Sequence, residues 1–106
     1  MSTIILIVWM HFFQDFVFQS DKMAKGKSTS MKWLSIHVAV YTLPFFIFGW
    51  RFALLNGAIH FVVDFFTSRL SSRMHKAGRI HDFFVVIGAD QAIHITTLML
   101  TMRFIR

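Results

Sequence analysis

The stretch "HFFQDF", residues 11–16, lies inside an apolar run and returns as "HFVVDF" at residues 60–65, with four of six residues unchanged. A histidine and an aspartate four apart share one face of an α-helix. Such groups are costly in lipid, and they normally face the interior of a bundle. Whether this pair is a repeated accident or half of a site decides what the rest of the chain is expected to be.

The composition narrows the choice. Of 106 residues, 56% are hydrophobic, 14 are Phe, and only 15% are charged. A soluble domain of this size lacks the interior to hide so much apolar surface, which favours an integral membrane protein. There is no Cys, so disulfides and thiolate metal ligands are excluded. The N-terminal run lacks the basic start and small-residue cleavage site of a signal peptide and is expected to remain as a span. The net charge of +6 does not point to nucleic acid, because the basic residues sit in short segments between apolar runs, as at membrane flanks.

Four apolar segments follow, at about 3–19, 33–50, 52–68 and 83–102. Each approaches the roughly 17–25 residues that cross a bilayer as a helix. The expectation is all-α: one integral membrane domain over 1–106, built as a four-transmembrane-helix bundle. Pro44 should kink the second helix or loosen its outer half. The paired motifs, each on the first helix of a hairpin, suggest a tandem two-helix duplication. Trp33 and Trp50 suit interfacial anchoring. Lys22, Lys25, Lys27 and Lys32 fall in one polar connection, and Arg69, Arg73, Lys76 and Arg79 in the other. The opposite side has Arg51, Arg103 and Arg106, so both basic connections are expected in the cytoplasm of a bacterial inner-membrane protein, N-out and C-out.

On that topology the polar residues form one layer. His11, Asp15 and Gln19 recur at four-residue spacing, as do His37 and Tyr41, His60, Asp64 and Ser68, and Asp90 with His94. His11, Asp15, His60, Asp64, Asp90 and His94 are the candidate metal ligands. His37, Asp15 and Asp64 are the candidates for acting on water or substrate, and Gln19, Asp21, Tyr41 and Gln91 for orienting ligands or substrate. Nitrogen and carboxylate donors suit one divalent ion or a pair, zinc first, with Mn, Fe or Ni as alternatives. Such an ion could support hydrolysis of a lipid-linked or membrane-associated substrate. A transporter of metal or protons, and a purely structural network, are the competing readings. His75 and His81, with the basic residues around them, read as a surface facing anionic lipid or gathering an anionic substrate. Asp82 reads as a first-turn acid, and self-association would bury more of each helix.

"HFFQDFVFQSDKMAKGKS", "HVAVYTLPF", "NGAIHFVVDFFTSR" and "DQAIH" together resemble a family of small bacterial and phage membrane proteins catalogued as domain of unknown function 3307. The resemblance covers nearly the whole chain and implies that His11, Asp15, Gln19, Asp21, Lys22, His37, His60, Asp64, Asp90, Gln91 and His94 match that family's motifs. It implies no activity. The stretch "AIHFVVDFFTS" is also similar to a helix of membrane-bound metal-dependent hydrolases, whose further His and Asp motifs this chain lacks.

Overall fold

The computed structural model describes residues 2–105, and among them every regular element is helical. Arg106, counted above on the sparsely basic side, lies outside the described residues. Helix α1, Thr3–Phe12, is capped by Ser2, whose hydroxyl accepts from the Ile4 amide at 3.2 Å. It runs on as a π-helical turn, Phe13–Val17, in which the Phe18 amide reaches back to the Phe13 carbonyl. Helix α2, Asp21–Gly26, and helix α3, Met31–Thr42, open on Ser20 and Ser30, whose hydroxyls accept from Met23 and Trp33. Pro44 ends the α geometry of α3, and the chain continues as a 3-10 helix over Leu43–Phe48. Helix α4, Trp50–Lys76, and helix α5, Ile80–Leu100, complete the chain before a short 3-10 turn, Met102–Phe104.

Three boundaries differ from the sequence expectation. The first polar connection contains α2, which starts at its Ser20 cap and ends before Ser30, the cap of α3. The third apolar segment does not stop at Ser68: α4 continues for two more turns through residues that form helix well without being apolar. The second polar connection therefore shrinks to Ala77–Arg79. A Schellman closure makes this possible: Arg79 N bonds Met74 O at 2.9 Å, Gly78 N bonds His75 O at 3.1 Å, and Gly78 adopts φ 74°. Trp50 starts α4 and does not end the second helix.

Helix α4 packs against both α3 and α5, and α1 closes the arrangement against α5 and, through its π turn, against α3. Gly57 sets the α3–α4 approach, since a Cβ there would come within 2.4 Å of Thr42 Oγ1. At one end the core is apolar: Ile7, Tyr41, Phe45, Phe52, Ala53 and Leu98. Toward the other end it becomes polar. The buried stripe of α4 runs from Asn56 and Gly57 to His60, Asp64 and Ser68, while Leu54, Val62, Phe66 and Leu70 face outward. Asn56 Nδ2 donates to Thr101 Oγ1 at 2.8 Å and ties α4 to the end of α5. Polar inside and apolar outside is the reverse of an ordinary soluble domain. Two helical stretches, Met31–Phe48 and Ile80–Leu100, are long and apolar enough to cross a membrane, and Thr3–Val17 is apolar but shorter.

Candidate metal centre

Each long helix sends a polar side chain to the same buried place. His37 from α3, His60 and Asp64 from α4, and Asp15 from the π turn are all at most 3% exposed. Their ligand atoms lie within 4.8 Å of one another. His37 Nε2 is 3.0 Å from Asp15 Oδ1, 3.1 Å from Asp64 Oδ2 and 3.1 Å from His60 Nε2. His60 Nε2 is 3.2 Å from Asp64 Oδ2 and 3.5 Å from Asp15 Oδ1. A tetrahedral ion with ligands at about 2.0–2.2 Å sets neighbouring donors about 3.3–3.6 Å apart. Five of the six edges are at that value or a few tenths tighter, and the sixth, between Asp15 and Asp64, is within 4.8 Å, so the four donors could surround one small divalent ion.

The fit has chemical support as well. Two ring nitrogens and two carboxylate oxygens, with no thiolate, form a donor set suited to zinc, manganese, iron or nickel. Among the described residues the buried Asp15 Oδ1 has no hydrogen-bond partner, although His37 Nε2 is 3.0 Å away. Two Nε2 atoms that face each other at 3.1 Å are likewise oriented toward a shared point. Stacking holds the rings in place, with Tyr41 at 3.8 Å and His94 at 3.9 Å from His60, centroid to centroid. The Nδ1 atoms of His37 and His60 are buried without a hydrogen-bond partner among the described residues.

The remaining sequence candidates surround this group in different ways. His94 Nε2 lies 3.1 Å from Asp64 Oδ1 and 3.1 Å from Asp90 Oδ1, so both residues from α5 join the cluster. His11, a candidate ligand in the sequence, stands aside: Nδ1 meets Tyr41 Oη at 2.9 Å and Nε2 meets Gln91 Oε1 at 2.6 Å. Gln91 Nε2 in turn donates to Asp15 Oδ2 at 2.9 Å and Asp90 Oδ2 at 3.1 Å. His11, Tyr41 and Gln91 thus form an orienting chain behind the carboxylates. Gln19 lies beyond the end of the π turn and lines the cavity below, whereas Asp21 is exposed in the first turn of α2.

That cavity, about 260 Å³, is lined by Asp15, Asp64, Asp90 and Gln91 at its floor and by Lys27, Thr67, Ser68 and Ser71 above. It shares Lys27, Ser68, Ser71 and Phe83 with a more open cavity of about 450 Å³, where Lys25, Ser28, Thr29, Ser72, His75 and Lys76 converge. Both basic connections therefore meet at one end of α4, while Arg51 and Arg103 line a third cavity at its other end.

Three participants escape a sequence reading. Lys27 Nζ reaches to 3.4 Å from Asp64 Oδ2, which depends on how α2 folds back. Thr67 Oγ1 donates to Asp90 Oδ1 at 2.5 Å; its position three after Asp64, on the same face of α4, was the available signal. Gln14 is buried and donates to the backbone carbonyl of Tyr41. No curated protein and no solved structure matches the chain. The family model described as Protein of unknown function (DUF3307) matches residues 3–106, so the chain belongs to that family.

Proposed function

We propose that this chain is a four-span membrane protein whose His/Asp cluster binds a divalent metal, zinc first, and that the metal serves hydrolysis of a membrane-associated, anionic substrate. The observation that carries the reading is the convergence of Asp15, His37, His60 and Asp64 on one point. Several features support the membrane setting. The outward faces are apolar, with Trp9, Phe66, Phe84 and Leu100 all more than half exposed. The longest dimension, 44 Å, suits a bilayer with its headgroup regions. The basic residues gather at one end, which the positive-inside rule assigns to the cytoplasm, giving N-out and C-out topology in a bacterial inner membrane.

A bound metal supplies a Lewis acid and a water whose pKa drops to about 7. The chain's own residues do the rest. Asp15 and Asp64 stand both in the donor group and in the lining of the cavity, so substrate could reach the site from that side. Lys27, beside Asp64, and the hydroxyls of Thr67, Ser68 and Ser71 offer donors to an anionic group. Lys25, His75 and Lys76 line the wider approach without any acid among its lining residues, which favours an anionic headgroup. The apolar core around Phe45, Phe52 and Leu98 closes the far end. A closed far end favours a one-sided pocket over a transport path.

Metal analysis of detergent-solubilised protein tests the reading. Near-stoichiometric metal is expected, together with a lower melting temperature after chelation. Protein that carries no metal, and whose melting responds neither to chelator nor to added zinc, reduces the cluster to a network joining helices. Metal-dependent uptake into proteoliposomes would move the function to transport.

A further inference from the structure

We infer that the cluster holds two metal ions, the second bound by Asp90 and His94 of α5 and joined to the first through Asp15 and Asp64. The inference rests on the metal-binding reading above. It begins with how the two central carboxylates divide their oxygens. Asp15 Oδ1 faces His37 and His60, at 3.0 and 3.5 Å, while Oδ2 faces the Gln91 amide at 2.9 Å, on the side of Asp90. Asp64 divides the same way: Oδ2 faces His37 and His60 at 3.1 and 3.2 Å, and Oδ1 faces His94 at 3.1 Å. Each carboxylate thus turns one oxygen into the first group and the other away from it.

The outward oxygen of Asp64 meets a second set of donors, which Asp15 borders. Asp15, Asp90 and His94 place ligand atoms within 4.8 Å of one another, and all three are buried. His94 Nε2 lies 3.1 Å from both Asp90 Oδ1 and Asp64 Oδ1. The second locus therefore has one ring nitrogen and up to three carboxylates, a harder donor set than the first and suited to Mn, Fe or Zn. Gln91 Nε2 donates to both Asp15 Oδ2 and Asp90 Oδ2 and holds the two carboxylates side by side. Thr67 fixes Asp90 from α4. Carboxylates shared between two ions are a geometry that puts metals about 3.5–4 Å apart in hydrolytic two-metal sites. Three buried aspartates gather here, and among the described residues the one ammonium in ion-pair reach of them is that of Lys27.

The test is metal stoichiometry in the intact, detergent-solubilised chain, loaded with Mn²⁺ and read by elemental analysis and by electron paramagnetic resonance. Two equivalents per chain with an exchange-coupled spectrum are expected. Asp90→Asn, which keeps the side chain's shape, should leave one equivalent with the spectrum of an isolated ion, and His94→Gln should do the same. One equivalent in the unaltered chain, unchanged by either substitution, overturns the second site and leaves the first standing. No bound metal in any of the three proteins overturns both.

Discussion

The two motifs "HFFQDF" and "HFVVDF" have the same His-to-Asp spacing but sit on different backbones. In α4 the helix is regular, and His60 Nε2 falls 3.2 Å from Asp64 Oδ2, with both atoms in the donor group. In the first motif the chain passes from α into a π turn, and His11 Nε2 stands 3.9 Å from Asp15 Oδ2. The wider turn lets Gln14 and Asp15 both face inward, and it frees the His11 ring to bridge Tyr41 and Gln91. One motif supplies two donors. The other supplies one donor and a residue that orients its neighbours. Equal spacing in sequence is thus no guarantee of equal role, because a single change of helix type redirects a ring.

The difference can be broken experimentally, beginning where the effect is largest. His60→Ala removes a donor and should weaken metal binding well beyond the roughly 10–100-fold typical of an outer partner. It should also remove the melting shift on chelation. His11→Ala should keep metal bound, with an affinity loss within that roughly 10–100-fold range. Equal losses in the two variants, measured by competition with a metal-binding dye, would erase the contrast. Gly57→Val should overpack the α3–α4 contact at Thr42 and cost about 1–3 kcal/mol by thermal or denaturant unfolding. It should weaken metal binding too, because it separates His37 from His60. Gln14→Leu removes one hydrogen bond between the π turn and α3 and should cost about 1 kcal/mol, with metal stoichiometry unchanged.

Much of the arrangement was legible in the sequence because outward and inward positions differ so sharply in polarity. The apolar segments, the break at Pro44 and the inward direction of His37, His60, Asp64, Asp90 and His94 all follow from hydropathy and helical period. The tandem repeat is less evident in the fold. Helix α4 is continuous over 27 residues where α1 becomes π-helical, and α5 is continuous where α3 becomes 3-10. Hydropathy could not follow α4 past Ser68, since its last turns are helical but polar. Spacing could not reveal the π turn, which depends on how Gln14 and Asp15 pack against α3. Lys27 was out of reach for a third reason: its place beside Asp64 joins positions 37 apart through a short helix whose start only the Ser20 cap announces.

The routes by which the aspartates find partners also bear on biogenesis. An aspartate at the centre of a spanning helix costs about 2.5–3.5 kcal/mol on insertion. In the four-span arrangement Asp64 has His37 across the turn at Gly49, so α3 and α4 can enter the bilayer as a hairpin with the acid already met. On its own segment Asp15 has His11, whose Nε2 stands 3.9 Å from Oδ2. Its nearer partners are His37 on α3, His60 on α4 and Gln91, which follows it by 76 positions. Among these helices α1 would then be the last to settle in that arrangement, since the contact between Asp15 and Gln91 forms only once α5 is in place.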